Sequence, residues 1–437
     1  NLAINEETDL LNTAALKNIS LYFIDAQRDI QDDLRNRTSW FGKLATQIEY
    51  DPEPLKKLEA DLASLNEDAV EKAIVLKHLK DLLKELNAPL QAGGSGVEIT
   101  PLPKKIRDLH KSMKIHFQDG DSEVFGLEYH GMGTRSWASM LTFKAFVGWE
   151  ERRLATFHPL LALEEPEAHL HPNAQRHLYR QLSSTSGQKI ISTHSPYIAA
   201  QAALEEIRYF CKNEDETRVA KLDLSGLSKD DTRKIKREVM HSKGELLFSK
   251  AIVLSEGETE EQALPFFAAK YWGQEPFELG INFVGCGGSN YEAFIKVFKS
   301  LGMNWFVFSD YDNNDIQINV NKAFVNNGFP NATTAPQAIL LGESFESYLI
   351  SQNYQSELKA AIVEHHTPLF HNNQHKTAKT TEIIGWSDAE VKNYIDAWKT
   401  KLSPLYSEEI AKLPEPRCIP QKIRDLFNAI NIKIKSN

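Results

Sequence analysis

The chain has 437 residues, 41% hydrophobic and 25% charged, with a formal net charge of −10. That is more chain than one typical core holds, so two or three globular domains are expected. Its apolar runs are short and interrupted by charge, which excludes a helical membrane span, and the whole-chain charge neither advertises nor excludes a nucleic-acid binder, because binding depends on local basic stripes and bound cations.

The opening segment, Asn1 to Leu11, lacks a basic-then-apolar leader pattern and reads as mid-domain, so we expect further sequence upstream. From Asp51 a charged helix begins. Leu55, Leu58, Leu62, Leu65, Ala69, Lys72, Leu76, Leu79, Leu83 and Leu86 follow spacings of three and four, and only Lys72 breaks the apolar seam. A seam of this kind suits a coiled coil or helical hairpin, and a helix this long asks for a partner surface. Gln91 to Gly96 is a glycine-rich joint. Beyond it the pattern is mixed α/β, with buried-strand runs at Leu160 to Leu163 and Lys189 to Ser192 around a helical His171 to Ser183. The charged stretch Lys212 to Lys243 reads as a connector. A second α/β set comes next: strands at Ala251 to Leu254, Ile281 to Val284, Trp305 to Phe308 and Ala338 to Leu341, helices at Glu260 to Tyr271 and Tyr291 to Ser300. That alternation predicts a largely parallel sheet, and Glu357 to Asn437 reads as a helical tail with proline-bearing joints. Cys211, Cys286 and Cys418 are scattered without metal-type spacing, so a reduced, cytoplasmic setting is expected.

Two groups of residues carry chemistry. The first is the run Phe157 to Glu167, an apolar strand ending in Glu164 and Glu165. A nucleotide hydrolase needs one acid near Mg²⁺, here Glu164, and one to polarise the attacking water, here Glu165. After the next strand, His194 can sense a γ-phosphate. The run Glu164-Glu-Pro-Glu-Ala-His-Leu-His-Pro172 resembles the Walker B and D-loop of ABC-type ATPases of the OLD, RecF-like and SMC-like group. Thr193-His194-Ser195 resembles their switch histidine. Gly131-Met-Gly133-Thr-Arg-Ser136 resembles their signature segment, which serves a partner's nucleotide and places Gly131, Gly133 and Ser136 near phosphate. Two departures stand out. Glu164 occupies a position where the family usually has Asp, and no Gly-x-x-x-x-Gly-Lys-Ser/Thr run occurs. Leu21 to Arg28 and Leu34 to Arg37 resemble the family's segment downstream of that phosphate cradle, so a missing upstream segment is expected rather than a dead ATPase.

The second group is a set of acids at strand ends. Glu256 closes one strand and Glu260 lies four residues on, in the first turn of the next helix; Asp310 and Asp312 end another strand and should share a side by alternation. Such hard oxygen ligands suit Mg²⁺ or Mn²⁺, and like charges this close repel unless a cation is bound. Glu258 and Asp315 read as solvated residues or caps. Ser289 and Asn290, in the turn Gly285 to Asn290, either contact phosphate or cap a helix, capping being the commoner role. The Glu-Gly-x-x-Glu and Asp-x-Asp pattern resembles the Toprim fold of topoisomerases, primases and OLD (overcoming lysogenization defect) nucleases. In that family a later carboxylate pair completes a second metal site. Here Glu343 and Glu346 are the candidates, although the usual acid-x-acid spacing would pair Ser344 with Glu346. Near the end, Pro416 to Arg424 resembles the family's C-terminal lysine motif, with Lys422 stabilising charge on the scissile phosphate.

The resemblance, closest to class 1 members, covers nearly the whole chain. It implies an α/β architecture: an ABC-type ATPase domain with a helical, coiled-coil-like insertion, then a Toprim α/β domain with a helical C-terminal tail. The expected parts are 1–50 (ATPase), 51–91 (dimerisation insertion), 92–211 (rest of the ATPase), 212–249 (connector), 250–349 (Toprim) and 350–437 (helical part of the nuclease). It further implies ATP, two Mg²⁺ or Mn²⁺ ions per Toprim site, DNA cleavage by hydrolysis with RNA as a further substrate in relatives, homodimers or larger homo-oligomers, no membrane, and a role in phage exclusion or defence. Two other readings stay open: an ATP-gated DNA-binding scaffold with a silent Toprim, and a topoisomerase-type enzyme, against which the short chain after the acids counts.

Overall fold

A computed structural model describes residues 19–26, 51–84, 100–103, 116–117, 125–153, 158–213, 216–225, 227–287, 290–369 and 371–435. The Gln91 to Gly96 joint, Leu34 to Arg37 and Ser289 lie outside them. The chain divides into two compact units, Asn1–His194 and Ser195–Asn437.

In the first unit β1 (Ile19–Ile24) is followed by helices α1 (Pro52–Lys72) and α2 (Ile74–Lys84), the short antiparallel pair β2 (His116–Phe117) and β3 (Phe125–Gly126), α3 (Met132–Arg153), β4 (His158–Glu164), α4 (Pro172–Ser183) and β5 (Gln188–Ser192). The sheet has the order β1-β4-β5 and both pairings are parallel, with Ile24 opposite Leu163 and Glu164 opposite Ser192. Leu161 and Leu163 are buried on one face, where Phe143 and Phe146 of α3 meet Tyr22 edge-on at 5.9 and 5.4 Å. That packing fixes where β4 ends and so where its acids emerge.

The seam helix breaks. Ala73 adopts an extended conformation between α1 and α2, so the spacing that runs through Lys72 spans two helices. The buried positions of α1 are Asn66 and Val70, whereas Leu58 and Leu65 of the seam are exposed. Asn66 is buried because its side chain bonds both the amide and the carbonyl of Leu102 (2.7 and 3.1 Å), tying in residues 100–103.

The second unit runs α5 (Pro196–Ala199), β6 (Arg208–Asn213), β7 (Glu216–Lys221), α6 (Lys229–Ile235), β8 (Ala251–Ser255), α7 (Glu258–Trp272), β9 (Ile281–Gly285), α8 (Tyr291–Ser300), β10 (Trp305–Ser309), α9 (Asn314–Asn326), β11 (Ala338–Leu340) and α10 (Phe345–Ser351). Tail helices complete it: α11 (Gln355–His366), α12 (Asn373–Ile384), α13 (Asp388–Ala397), α14 (Lys399–Ala411) and α15 (Gln421–Lys435). The central sheet, β11-β10-β8-β9, is wholly parallel. Its two middle strands are buried along their length, as near-continuous apolar runs flanked by helices must be. Val253, Phe306 and Phe308 face Leu264 and Phe267 of α7 and Leu402, Tyr406 and Phe427 of the tail. Ile252, Leu254 and Val307 face Phe294 and Phe298 of α8 and Val320 and Phe324 of α9.

The stretch read as a connector is folded. β6 and β7 form an antiparallel hairpin, and Ser228 with Asp231 makes a capping box that starts α6. Leu222, Ile235, Val239 and Met240 join the core of the sheet face carrying Ile252 and Leu254. The spacing of Ile235, Val239 and Met240 is helical, but the charged residues around them mask it. Among the described residues no helix is long and apolar enough to cross a membrane.

Candidate active site

The parallel sheet of the second unit turns its carboxyl edge toward a cluster of acids, as α/β sheets commonly do with their functional residues. β8 ends at Ser255, and the chain turns through Glu256 and Gly257 into α7. Gly285, at the end of neighbouring β9, must be glycine: a Cβ there would lie 2.8 Å from the Gly257 carbonyl oxygen. This close approach sets the turn that holds Glu256. Glu260, in the first turn of α7, is buried, and its Oε2 accepts from the Gly257 N–H at 2.9 Å.

β10 delivers Asp310 to the same place. The expectation that Asp310 and Asp312 share a side by strand alternation fails, because β10 stops at Ser309 and Tyr311 turns left-handed (φ +53°). Asp310 is buried and Asp312 exposed. Asp312 still stands near enough to repel Glu256. Glu346, in the first turn of α10, is 1% exposed and joins the nest from the far side, repelling both Glu260 and Asp310. It thus stands beside the first acids. The Glu343 carboxylate accepts from Ser351 Oγ at 2.9 Å.

Burial and mutual repulsion act in one direction. Desolvation, then Glu260, Glu256 and Glu346, push Asp310 up to about 9. Desolvation, then Glu260 and Asp312, raise Glu256 to about 7, and desolvation also raises Glu260. The nest therefore disfavours its own ionised form. Three of its buried carboxylate oxygens, Glu256 Oε2, Asp310 Oδ1 and Glu346 Oε1, have no hydrogen-bond partner among the described residues, an arrangement that fits a hard divalent cation. The side chains are not closed around a point: among the described residues no three His, Cys, Asp or Glu side chains stand close enough to hold a metal ion.

The positive charge that reaches the nest comes from a residue the sequence did not single out. Lys399, at the start of α14, lies 3.1 Å from Glu346 Oε2 and 3.4 Å from Asp396. It moderates Glu256 and Glu260. α14 is held against α7 by Ser403, whose hydroxyl donates to the Thr259 carbonyl at 2.6 Å. No motif marked Lys399; only the packing of the tail brings it in. Lys422 is exposed at the start of α15, where its backbone N–H donates to Tyr348 Oη at 2.9 Å. Tyr348 lies on α10, two residues from Glu346.

In the first unit the structure joins part of the predicted nucleotide site. Glu164 ends β4, exposed and opposite Ser192. Glu165 comes next with φ +40° and its N–H on the Ser192 carbonyl (3.0 Å), and its Oε1 lies 3.5 Å from His194 Nε2. Gly133 packs on the turn after β4, where a Cβ would come 2.8 Å from the His169 carbonyl oxygen. Ser136 is buried, and a Cβ at Gly131 would meet nothing within 4 Å. Sequence reasoning missed Glu167. It is buried, and its Oε1 accepts from Thr193 Oγ1 (2.5 Å) and from the His194 N–H (3.1 Å), pinning the loop that carries His194. Its place in an acidic run was visible; its inward direction was not.

Comparisons with known proteins agree with this division. Residues 4–199 match an AAA ATPase domain, and residues 247–312 match the TOPRIM domain of overcoming-lysogenization-defect-like proteins. An OLD nuclease of Thermus scotoductus is 31% identical over 214 residues, covering 46% of this chain and 39% of that protein. The Old nuclease of Escherichia phage P2 is 28% identical over 195 residues, covering 42% of this chain and 33% of its own length. The chain therefore spans well under half of the curated relatives it matches. Among solved structures, the C-terminal region of the Xanthomonas campestris OLD protein is 14% identical with a TM-score of 0.34, covering 44% of this chain and 96% of that one. An ATPase part followed by an OLD-type Toprim part is what this chain shares with OLD proteins.

Proposed function

We propose that the protein is an ATP-linked, divalent-metal-dependent nuclease that hydrolyses DNA phosphodiesters at the acidic nest. The observation that carries this reading is the set of buried, unpartnered carboxylate oxygens on Glu256, Asp310 and Glu346 beside Glu260. Mg²⁺ or Mn²⁺, two per site on this reading, would supply water activation and charge stabilisation. Glu256, Glu260, Asp310, Asp312 and Glu346 would hold the cations, with Glu343 at the margin. Lys422 would face the scissile phosphate and stabilise its developing charge. Lys399 keeps Glu346 in place and offsets part of the repulsion.

In the first unit Glu164 would take the Mg²⁺ of ATP, Glu165 would orient the attacking water, and His194, held by Glu165 and Glu167, would read the terminal phosphate. Gly131, Gly133 and Ser136 would serve a partner's nucleotide. Self-association fits the exposed Leu58, Leu65, Ile74, Val75 and Leu79 of α1 and α2. The named relatives are nucleases, one of them from a phage, and we place this chain in phage exclusion or defence on that ground.

The test is cleavage of linear and circular DNA with Mg²⁺, Mn²⁺ or EDTA. Cutting is expected with either metal, none with EDTA, and at least a ~100-fold loss in Asp310→Ala. Undiminished metal-dependent cutting by Asp310→Ala would refute the site. A covalent protein–DNA adduct would point to topoisomerase chemistry instead.

A further inference from the structure

At the opposite edge of the second unit's sheet lies a cavity of about 340 Å³, the size of a small-ligand pocket. Its floor is the turn between α8 and β10, where Gly302 turns left-handed and leaves the space open. One wall is the β6–β7 hairpin. Tyr209 pairs with Ala220 and Cys211 with Arg218, so alternation sets these four on the cavity side while Phe210 and Val219 face out.

The lining is unusual for this chain. Arg218, Lys299 and Lys433 contribute three cations, and among the described residues no carboxylate lines the cavity, in a protein of net charge −10. Tyr209, Trp305 and Phe329 add three aromatic rings; Trp305 and Phe329 meet edge-on at 5.6 Å, and the Lys299 ammonium sits 5.2 Å from the Phe329 ring centre. Gln337 also lines it and adds a side-chain amide.

Aromatic faces, a side-chain amide and clustered cations together match one chemical class. We propose that this cavity binds a nucleoside phosphate, its base against the rings with an amino or imino group on Gln337, its phosphate toward Arg218, Lys299 and Lys433. The nest lies at the other end of β10, about 15 Å away at the usual rise per residue, so the two sites are separate. The ligand is either a free nucleotide or the phosphorylated end of a strand; both present the same chemistry.

Calorimetric titration of the full chain in EDTA tests this with AMP, adenosine and inorganic phosphate. AMP is expected to bind one per chain, with adenosine and phosphate each at least ~10-fold weaker. Arg218→Glu and Gln337→Leu should each weaken AMP by ~10-fold or more. Arg218 is exposed on the hairpin, so its variant keeps the fold, which circular dichroism checks. A 5′-phosphorylated dinucleotide binding more tightly than AMP would identify a strand end as the ligand; weaker binding would identify the free nucleotide. Phosphate binding as tightly as AMP would overturn the proposal in favour of a plain anion site. So would AMP binding lost in His194→Ala but kept in Arg218→Glu, or no AMP binding at all.

Discussion

Replacing Lys399 with Met removes a side chain that pairs with Glu346 and leaves a carboxylate 1% exposed among other acids. Breaking a buried ion pair by deleting one partner costs about 3–5 kcal/mol. The Lys399 side chain is 38% exposed, so water screens part of that interaction, and we expect about 2 kcal/mol. The same loss should vanish when the stranded charge is removed: Glu346→Gln in the Lys399→Met background is expected within about 0.5 kcal/mol of Glu346→Gln alone. Urea unfolding at pH 8 in EDTA, read by tryptophan fluorescence, measures all four members of the cycle. A bound divalent cation supplies the missing charge, so the cost of Lys399→Met should shrink in millimolar Mg²⁺ or Mn²⁺. A Lys399→Met penalty below about 0.5 kcal/mol, or no rescue by Glu346→Gln, refutes the role assigned to this pair.

The same geometry sets three further outcomes. Burial and neighbouring acids hold Asp310 at about 9 and Glu256 at about 7, above their ordinary values, so the folded state binds more protons than the unfolded one across that window. Metal-free stability should then fall as pH rises from 5 to 9, by about 1.4 kcal/mol per pH unit for each proton held, and Asp310→Asn should flatten the upper part; a level profile in EDTA contradicts this. Glu167→Ala removes the carboxylate that bonds Thr193 Oγ1 and the His194 N–H, and should cost about 1–3 kcal/mol while shifting the His194 ring signals in NMR spectra; unchanged signals would remove Glu167 from that role. Gly133→Ala should destabilise by about 1–3 kcal/mol because its methyl meets the His169 carbonyl, whereas Gly131→Ala, with open space around it, should be nearly neutral in thermal unfolding; equal effects would count against the close approach.

Much of the second unit was readable because its strands are buried on both faces. Ala251 to Leu254 and Trp305 to Phe308 are unbroken apolar runs, and the structure places strands there with one more residue each. Glu256, Glu260 and Asp310 were readable too, since each sits where a strand ends or a helix begins. Strand alternation does not govern Asp312, because the strand ends at Ser309 and Tyr311 turns left-handed, yet Asp312 still stands near Glu256. The fold of 212–249 was hidden because Ile235, Val239 and Met240 are scattered among lysines and acids, so the stretch reads as polar in composition while burying a helical stripe. Part of the seam in α1 is its packed side, since Leu55, Leu62 and Ala69 are half-buried beside Asn66 and Val70; Asn66, a polar residue that no apolar pattern marks, is held there by its bonds to Leu102. Lys399 and Glu167 act through contacts distant in sequence, 53 residues to Glu346 and 26 to Thr193, and no local pattern reports those.

The acids and the tail explain each other. A cluster in which Glu260, Asp310 and Glu346 are all buried opposes folding whenever they are ionised, and hydrophobic packing must offset it. That packing comes from the tail: Leu402, Tyr406 and Phe427 lie in the same core as Phe306 and Phe308 of β10 and Phe345 of α10. The helix that supplies Leu402 and Tyr406 also supplies Lys399, and Ser403 between them bonds the backbone of Thr259, next to Glu260. One element thus brings apolar mass, a counterion and a backbone anchor to a site whose acids lie on other elements. The sheet and its acids alone would hold the charges without the means to keep them together, which is why the tail has to be counted as part of the nest.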